Sequence, residues 1–472
     1  MVGIQGFSVY VPFHRLSREE IAQTWGRSSG AGEKAVANHD EDSITMAVAA
    51  GMDCLTGIDP QSIDGLYFAS TTLPYKEKQS ATLIATALDL RREIFTADFS
   101  GSLRAGMSAI RSAMDAIKAG SAKKIMVCVS DTRIGYPNGP HEMDFGDGAA
   151  SFILGKDDVV AVIEGSHAVS DEIHDVWRSD KDTFVESWEE RFVREKGYLK
   201  VLTETVSGIL GKYGMAAKDF SKAVFSAPNP RLLSTVAQKL GFDAKTQLQD
   251  SLYSVVGNTG TGLAPMLLSV ALEQAHPGDR ILFAGYGDGC EAFILQVTER
   301  IEGYQPNRGS QVQLSTKRMI DYQKYLRWRQ IIPIQPVSRP TIERSSAVAL
   351  WRDTKGGIGL YGSKCRNCGT IQYPVQRVCI KCHTKDSFVP YRFADKRGKL
   401  TTFSHDNLAV TTDPPTTVAV VDFDGGGRIM CDITDKDSEE IKVGMPVEMT
   451  FRKVRYAGNV YTYWWKCVPI RK

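Results

Sequence analysis

The sequence predicts a duplicated α/β domain, then a small cysteine-rich segment and a β-rich C-terminal domain. Three observations predict this. Short β-rich runs alternate with amphipathic helical stretches up to about residue 300, one stretch of the chain recurs later, and four clustered cysteines precede five further β-rich runs. A chain of 472 residues is long enough for roughly three domains at about 150 residues each.

The composition is that of an ordinary globular protein and excludes several function classes. Hydrophobic residues make up 42% and charged residues 24%, and the formal net charge is only +2. These values exclude long disorder, and the balanced charge argues against a nucleic-acid partner. The sequence has no apolar run of about 18 residues, and its first residues lack the pattern of a signal peptide. We therefore expect a cytoplasmic protein that does not enter a membrane.

The alternation of segments predicts a largely buried sheet with helices on both faces. Runs of four to eight apolar residues are typical of such strands, and amphipathic segments of helical length lie between them. The predicted strands lie within 63–70, 123–130, 149–155, 222–228, 280–286 and 292–297, and the predicted helices within 17–25, 41–55, 105–120 and 263–275.

An internal repeat indicates that this part contains two copies of one unit. FGDGAASFIL (145–154) recurs as YGDGCEAFIL (286–295), an offset of 141 residues, while the preceding strands start at Ile125 and Ile281, an offset of 156. The difference is accounted for by a loop in the first copy, 132–145. The alternative is that Gly-Asp-Gly is simply a common turn, but a shared pair of strands favours duplication.

Each copy places a glycine-rich turn before a hydrophobic helix. The two turns are SGSLRAG (100–106) and VGNTGTG (256–262). Backbone N–H groups at such a helix start can stabilise an oxyanion or lower the pKa of a nucleophile. If the two copies meet at a pseudo-two-fold axis, both turns face one pocket.

The chain changes character after residue 300. Residues 300–317 are polar and predict a linker, and 318–332 predict an amphipathic helix.

Next comes a C-x2-C-x10-C-x2-C cluster formed by Cys365, Cys368, Cys379 and Cys382. Four thiolates at this spacing suit structural Zn²⁺, although a ribbon that has lost its metal is the alternative. Five β-rich runs with Gly, Asp and Pro between them predict a small barrel.

Several longer stretches resemble known families. STTLPYKEKQSAT (70–82), ADFSGSLRAG (97–106), FGDGAASFIL, HDVWRSDKDTF (174–184), VFSAPNPR (224–231) and GNTGTGLAP (257–265) resemble the hydroxymethylglutaryl-CoA synthase branch of the thiolase superfamily. DYQKYLRWR, the cysteine cluster, VVDFDGGGRIM and VGMPVEMTFRKV resemble the DUF35 module. The resemblance implies a five-layer α/β/α/β/α thiolase-like domain (1–310), a linker with an amphipathic helix (311–345), a rubredoxin-like zinc ribbon (346–390) and an OB-fold barrel (391–472).

The resemblance also implies a substrate class and partners. Members of the thiolase superfamily bind an acyl-CoA and make or break carbon–carbon bonds beside its thioester. We therefore expect a coenzyme A thioester as ligand, and a homodimer or a complex with a thiolase-type subunit. Arg104, Trp177 and Arg178 are expected to contact the substrate or to shape the rim of its pocket.

The sequence departs from the family at the three reactive side chains. The family's acyl-accepting cysteine falls on Leu103, with Ser102 beside it, and its acid/base glutamate falls on Thr71. The histidine that lies beside the thioester oxygen falls on Ser226, and only the turn asparagine, Asn258, remains. Leucine cannot attack a thioester, and a serine needs a paired base to do so. We therefore do not expect an acyl-cysteine intermediate unless another thiol, such as Cys290, reaches the pocket.

Two hypotheses remain. In the first, the pocket performs an aldol or retro-aldol step, which needs a base and an oxyanion site but no thiol. The catalytic candidates are then His141 or Glu142 as the base, Asn258 for the oxyanion, and the hydroxyls of Ser102 and Ser226. In the second, the chain is a non-catalytic CoA-binding subunit for a separate thiolase that carries the cysteine.

Overall fold

The computed structural model describes residues 1–28, 31–304, 306–335 and 345–471. The chain divides into two compact units. The first contains Met1–Ala37, Asp42–Ala85 and Leu90–Tyr322, and the second contains Asn38–Glu41, Thr86–Asp89 and Gln323–Lys472. In the described residues, no helix has both the length and the apolar character that crossing a bilayer requires.

The strands up to residue 319 include the predicted ones. In chain order they are β1 (Gly3–Tyr10), β2 (His14–Ser17), β3 (Glu33–Val36), β4 (Gly65–Ala69), β5 (Phe95–Phe99), β6 (Ile125–Asp131), β7 (Gly148–Gly155), β8 (Ala161–Ser170), β9 (Val176–Trp177), β10 (Glu186–Ser187), β11 (Lys222–Phe225), β12 (Arg280–Tyr286), β13 (Gly289–Val297) and β14 (Arg318–Met319).

The helices in the same part of the chain also include the predicted ones. They are α1 (Arg18–Thr24), α2 (Ser43–Cys54), α3 (Ala81–Ala87), α4 (Ala105–Ala119), α5 (Pro140–Asp144), α6 (Glu190–Phe192), α7 (Leu199–Tyr213), α8 (Pro230–Lys239), α9 (Leu263–Glu273) and α10 (Ser310–Ser315). A π-helical segment, Val193–Tyr198, joins α6 to α7.

Local sequence signals set several helix ends. Asp42 caps α2, where its carboxylate accepts the Thr45 N–H at 3.0 Å. Asn229 caps α8 in the same way, and Pro230 occupies the first helical position, where it costs no hydrogen bond. Gly120 ends α4 with a φ of 82°, the left-handed conformation that glycine adopts without strain.

The first unit is built on a nine-stranded mixed sheet. The strand order is β11-β12-β13-β8-β1-β7-β6-β4-β5. The antiparallel hairpins β6–β7 and β12–β13 are the two copies of the repeat. Ile125 pairs with Leu154 in the first hairpin, and Ile281 pairs with Leu295 in the second. The register therefore has the same two offsets as the sequence, which confirms the predicted duplication.

Side chains that alternate along a strand of the sheet face two different layers of helices. Ile281 and Phe283 of β12 belong to the same core as the apolar faces of α4 and α9. Leu282 and Ala284, on the other face, pack with α7 and α8. On the first copy, α2 packs on β1, β6 and β7. Helices α4 and α9 thus form the middle layer of a five-layer α/β/α/β/α arrangement, as the resemblance implied.

The second unit contains two small sheets. Its strands are β15 (Tyr361–Cys365), β16 (Ile371–Gln372), β17 (Phe388–Arg392), β18 (Arg397–Asp406), β19 (Thr416–Phe423), β20 (Arg428–Asp432), β21 (Pro446–Ala457) and β22 (Val460–Pro469). The first three form a sheet with the order β16-β15-β17, and the other five form a sheet with the order β20-β19-β18-β21-β22. A bridge between Ile433 and Cys467 brings the ends of the five-stranded sheet together, as in a barrel.

The segment between the predicted domains is less helical than the sequence suggests. The amphipathic helix predicted within 318–332 is limited to α11 (Tyr322–Trp328), because Arg318–Met319 forms β14 beside β2 instead. Tyr322 and Tyr325 of this helix are buried, whereas Met319 is exposed. The helices α12 (Ala347–Arg352) and α13 (Thr354–Gly357) follow. Residues 336–344 of the predicted linker lie outside the described residues.

Candidate functional site

Two adjoining cavities lie in the first unit. The first, which we call the Ser226 cavity, has a volume of about 470 Å³, and its lining includes Leu103, Arg133, His141, Asp175, Ser226, Asn258 and Tyr286. The second, which we call the Thr71 cavity, has a volume of about 740 Å³, and its lining includes Thr71, Ser102, Leu103, Arg133, Asp175, Trp177 and Arg178. Leu103, Arg133, Asp175 and Val176 line both, so they form the wall that the cavities share.

The first glycine turn brings Leu103 to this wall. The Ser102 hydroxyl accepts the Arg104 N–H at 3.1 Å, just before α4 begins. Gly287 packs directly against the turn, and a Cβ there would lie 2.9 Å from the Leu103 Cβ. Only a glycine allows this approach of the two copies. The apolar Leu103 side chain, to which the resemblance assigns the position of the family's cysteine, thus lies at the wall shared by the two cavities.

The second glycine turn supplies Asn258. Its Oδ1 accepts the Gly260 N–H at 3.0 Å, and its backbone N–H donates to the Asp144 carbonyl at 2.7 Å. Because Oδ1 is used in the turn, the Nδ2 group is the donor that Asn258 can offer to the Ser226 cavity. The two turns therefore contribute to the Ser226 cavity in different ways, since the second supplies the Asn258 amide and the first supplies the apolar Leu103.

The hydroxyls of Thr71 and Ser226, which the resemblance aligns with the family's other two reactive groups, make hydrogen bonds within the fold. Thr71 donates from Oγ1 to Asp131 at 2.9 Å, and its backbone N–H donates to the same carboxylate at 2.7 Å. Ser226 Oγ accepts the Tyr286 N–H at 3.2 Å. Ser226 has no basic partner in this contact, and the Asp131 carboxylate that accepts from Thr71 is also held by the backbone N–H groups of Thr71 and Thr261. Neither hydroxyl is therefore arranged as a strongly activated nucleophile.

His141 lines the Ser226 cavity from α5. Its ring stacks on Phe145, with 4.7 Å between centroids and 5° between planes. The guanidinium of Arg133 lies 4.2 Å from the centroid of the same Phe145 ring. Burial, and then the positive charge of Arg133, lowers the pKa of His141 to about 4. Its Nε2 atom is buried and makes no hydrogen bond to any described residue. His141 is therefore a neutral imidazole at pH 7.

The neighbouring Glu142, an alternative base in the sequence analysis, is not placed for that role. It accepts hydrogen bonds from Trp25 Nε1 at 3.1 Å and from the Asn138 N–H at 2.8 Å, and the Tyr322 hydroxyl also donates to it. It does not line either cavity among the described residues. Glu142 therefore ties the inserted loop to other parts of the unit, because three donors already hold its carboxylate.

The three predicted substrate-binding residues have different surroundings. Trp177 and Arg178 line the Thr71 cavity, and Arg178 donates to the Thr71 carbonyl at 2.7 Å. Arg104 lines neither cavity in the described part of the chain. Its guanidinium donates to the Val169 carbonyl at 3.1 Å. Arg104 thus holds the start of α4 against β8.

Three lining residues were missed by the sequence analysis: Arg133, Asp175 and Tyr286. Asp175 lies inside the HDVWRSD stretch that the resemblance singled out, and Tyr286 takes the place of Phe145 in the repeat. Arg133 lies near the start of the inserted loop. The repeat reveals this loop by its length, but the sequence does not indicate that the charge of Arg133 faces the cavities. The guanidinium is fully buried, and burial lowers the pKa of Arg133 to about 10, which leaves it cationic at pH 7.

Cys290 does not supply a thiol to the site. It is buried in the hydrophobic core that β12 and β13 form with α7 and α8, and it lines neither cavity. Burial raises the pKa of Cys290 to about 12, so the group is a protonated thiol at neutral pH. Among the described residues that line the two cavities, none is a cysteine.

The second unit has a separate metal-type site. The sulfur atoms of Cys365, Cys368, Cys379 and Cys382 all lie within 4.8 Å of one another. Hydrogen bonds from Thr384 lower the pKa of Cys382 to about 5, which favours the thiolate that zinc requires. This donor set fits a closed tetrahedral Zn²⁺ site of the structural kind. Such an ion would cross-link the two Cys-x2-Cys turns of a segment that has little core of its own.

Comparison with known proteins identifies all three regions. Residues 210–297 match the 3-oxoacyl-[acyl-carrier-protein] synthase III C-terminal family, 359–387 the ChsH2 rubredoxin-like zinc ribbon domain, and 391–452 the ChsH2 C-terminal OB-fold domain. The hydroxymethylglutaryl-CoA synthase of Methanothermobacter thermautotrophicus is 32% identical over 341 residues, which are 70% of this chain and 98% of that protein. The Pyrococcus furiosus enzyme of the same name is 35% identical over 337 residues, 70% of this chain and 96% of the relative.

Solved structures share the fold at lower identity. An HMG-CoA synthase complexed with CoA is similar at a TM-score of 0.65 and 19% identity, covering 73% of this chain and 94% of that one. The 3-oxoacyl-[acyl-carrier-protein] synthase III of Aquifex aeolicus VF5 gives 0.57 and 20%, covering 63% and 100%. Taken with the sequence relatives, these similarities show that the chain belongs to the hydroxymethylglutaryl-CoA synthase family, in a thiolase-like fold, and carries a ChsH2-type zinc ribbon and OB-fold at its C-terminal end.

Proposed function

We propose that this protein makes or breaks a carbon–carbon bond beside a coenzyme A thioester without forming an acyl-cysteine. The observation that carries the proposal is the wall shared by the two cavities. Leu103 stands there in place of the reactive thiol, while an imidazole and a guanidinium line the same space. The binding of an acyl-CoA is supported by the names of the relatives and by the CoA complex of a structural neighbour.

The reaction that fits these groups is an aldol-type cleavage or its reverse. In the cleavage direction, a base takes the proton of a hydroxyl group on the β-carbon, and the bond between the α- and β-carbons breaks. The electron pair moves through the α-carbon onto the thioester oxygen as an enolate, and the α-carbon then takes up a proton. No step of this sequence needs a nucleophilic thiol, but the base and the enolate both need protein partners.

His141 is the proposed partner of the β-oxygen. Its pKa of about 4 makes it neutral at physiological pH, so its ring has a nitrogen that can accept a proton. The Nε2 atom makes no hydrogen bond to a described residue, but it is closed off from solvent, so the ring has to shift before this nitrogen can meet the substrate oxygen. Such a base is weak when it acts alone, but it gains strength as the enolate forms beside it, since opposite charges attract strongly in a cavity that excludes water.

Arg133 and Asn258 are the proposed partners of the enolate oxygen. Arg133 remains cationic at pH 7, and the Nδ2 group of Asn258 is a neutral donor in the same cavity. Donors that are held in position before the reaction stabilise developing charge at little reorganisation cost. The hydroxyls of Ser102 and Ser226 are assigned to turn and strand contacts instead, because each already has a backbone partner.

The second candidate function is a non-catalytic CoA-binding subunit. The specific observation in its favour is that Thr71, at the position of the family's glutamate, is fully engaged with Asp131. In this alternative, the chain would present its substrate to a separate thiolase-type protein. A complex of that kind, or a homodimer, is compatible with either function, and we keep residues 1–310 as the proposed acyl-CoA domain in both.

An assay of the purified full-length chain separates the two functions. We expect it to cleave a panel of β-hydroxyacyl-CoA substrates into a carbonyl compound and a shorter acyl-CoA, detected by mass spectrometry. We expect His141→Gln to lower kcat roughly 100-fold or more, the usual scale for loss of a general base. His276→Gln, at an exposed histidine that lines neither cavity, should leave kcat unchanged. Activity that appears only when a cysteine-bearing thiolase is added would support the second candidate instead.

A further inference from the structure

Asp175 is a buried carboxylate at the wall that the two cavities share. It is 3% exposed, and it lines both the Ser226 cavity and the Thr71 cavity. The proposed function assigns it no role. An aldol-type reaction moves two protons, one at the β-oxygen and one at the α-carbon, and His141 accounts for only the first.

Several contacts hold Asp175 in one position. The Tyr286 hydroxyl donates to its Oδ2 at 2.7 Å, and the Val176 N–H donates to its Oδ1 at 2.6 Å. Its own backbone carbonyl accepts the Trp188 N–H at 3.0 Å. A carboxylate fixed from both sides in this way points consistently into the site, which is what a proton-transfer group requires.

Tyr286 is itself positioned by its neighbours. Its ring packs edge-on against Tyr198 with 5.4 Å between centroids. Gly197, in the π-helical segment, leaves room for it, since a Cβ there would lie 2.5 Å from the Tyr286 hydroxyl. Single π-helical turns are frequent at functional sites. The segment therefore allows the hydroxyl to reach Asp175 from the far side of the cavity.

The charges around Asp175 suit a group that changes protonation. Burial raises its pKa above the usual range, and the negative charge of Asp288 acts in the same direction, whereas the bonds from Tyr286 and Val176 oppose this shift. Arg133 faces it from the inserted loop as the nearby cation, and His141 lines the same Ser226 cavity. A raised pKa increases the share of the protonated form, which suits a carboxyl group that both gives and takes a proton.

On the basis of the proposed function, we infer that Asp175 exchanges the proton of the substrate α-carbon, and that Tyr286 is the residue that positions it. In the cleavage direction, protonated Asp175 delivers its proton to the α-carbon of the enolate, and in condensation its carboxylate removes that proton. His141 handles the proton of the β-oxygen, and both groups are reset by exchange with water. Asp175 thereby supplies, from another loop, the carboxylate that is absent at Thr71.

Hydrogen–deuterium exchange at the α-carbon tests this step separately from bond cleavage. The full-length protein is incubated with propionyl-CoA in D₂O, and uptake of deuterium is followed by mass spectrometry. We expect the wild type to catalyse exchange, Asp175→Asn to slow it roughly 100-fold or more, and Asp175→Glu to recover part of the rate. We expect His141→Gln to retain exchange while losing cleavage. Asp53→Asn, at a buried carboxylate that lines neither cavity, serves as the matched control.

Tyr286→Phe gives a second readout that a purely structural role would not change. The substitution removes the hydrogen bond from Tyr286 that lowers the pKa of Asp175, so that pKa should rise. The increase of the exchange rate with pH should therefore occur at higher pH than in the wild type. Thermal unfolding of each variant checks that it folds. Cleavage activity with unchanged exchange in Asp175→Asn overturns this inference and leaves the proposed function standing. Deuterium exchange without cleavage of any β-hydroxyacyl-CoA would support the role of Asp175 in proton transfer and would reject the aldol-type function.

Discussion

The zinc-ribbon cysteines and the wall around Leu103 differ in how the chain supplies their functional groups. The four cysteines lie within 18 residues, and local turns bring their sulfur atoms together. The wall draws its groups from segments as far apart in the chain as Leu103 and Asp175. In the ribbon, all four cysteines of the zinc site are present, while at the wall we propose that Leu103 stands where the family has its thiol. If that proposal is correct, one chain retains its structural metal site while the chemistry of its other site has changed.

The largest effect is expected at the ribbon, where the double substitution Cys365→Ser and Cys379→Ser removes half of the donor set. Structural zinc sites contribute on the order of 10 kcal/mol or more in small domains, so we expect bound zinc to fall from about one ion per chain to almost none. Elemental analysis measures the metal, and thermal unfolding should show loss of the second unit's transition.

Cys431→Ser is the matched control for that experiment. Cys431 is a buried cysteine of the second unit in β20, outside the cluster, and its substitution should leave the zinc content unchanged. Full zinc occupancy in the double variant would contradict the assignment of these four thiolates as the ligands.

The same difference explains how much of each site could be predicted from the sequence. The ligands of the ribbon were predictable, because their spacing alone brings them together. The meeting of Leu103 and Asn258 was also predictable, because the two glycine turns belong to a repeat whose strands align residue for residue. Asp175 was not predictable, since its position depends on Tyr286, which is 111 residues away in the chain.

His141 and Glu142 show most clearly which part of the site the sequence alone does not predict. They are adjacent residues of one short helix, and nothing in the sequence favours either as a base. The structure separates them, because Trp25 and Tyr322 bind Glu142 while His141 stacks on Phe145 toward the cavity. Adjacent helical positions point about 100° apart, so only the distant partners decide which one faces the site.

At the wall, Arg133→Met should have the largest effect on catalysis. Removing one preorganised donor from a developing oxyanion typically lowers kcat 100- to 1,000-fold, about 3–4 kcal/mol. Arg133→Lys retains the charge without the planar fork, so it should lose less. Steady-state cleavage of a β-hydroxyacyl-CoA measures both. A kcat close to that of wild type in a folded Arg133→Met protein would remove Arg133 from the enolate site.

The pKa of His141 predicts a smaller effect on stability. In the unfolded chain this histidine takes up a proton near its ordinary pKa of 6.5, but in the folded protein it does so only near pH 4. The unfolded state therefore binds more protons between these values, and the free energy of unfolding decreases as the pH falls through this window. The shift corresponds to about 3 kcal/mol at most.

Chemical denaturation at about pH 7 and about pH 4.5 measures this contribution. His141→Gln has no titrating group at that position, so its stability should fall less than that of the wild type over the same interval. An equal fall in the two proteins would show that His141 is not held neutral in the cavity.

The smallest effect is expected when the family's thiol is put back. In Leu103→Cys, the new sulfur atom would stand at the shared wall, but Thr71 and Ser226 offer no base to ionise it. Because a thiol near its ordinary pKa is only a few per cent ionised at pH 7, we expect slow acylation at most and a change in kcat below about tenfold. Mass spectrometry of the intact protein after incubation with acetyl-CoA measures the adduct, and wild type is the control. Rapid, complete acylation of the Leu103→Cys variant at its new thiol would mean that an activating base has survived beside this position. The wall would then be an interrupted thiolase site instead of one rebuilt around Arg133, His141 and Asp175.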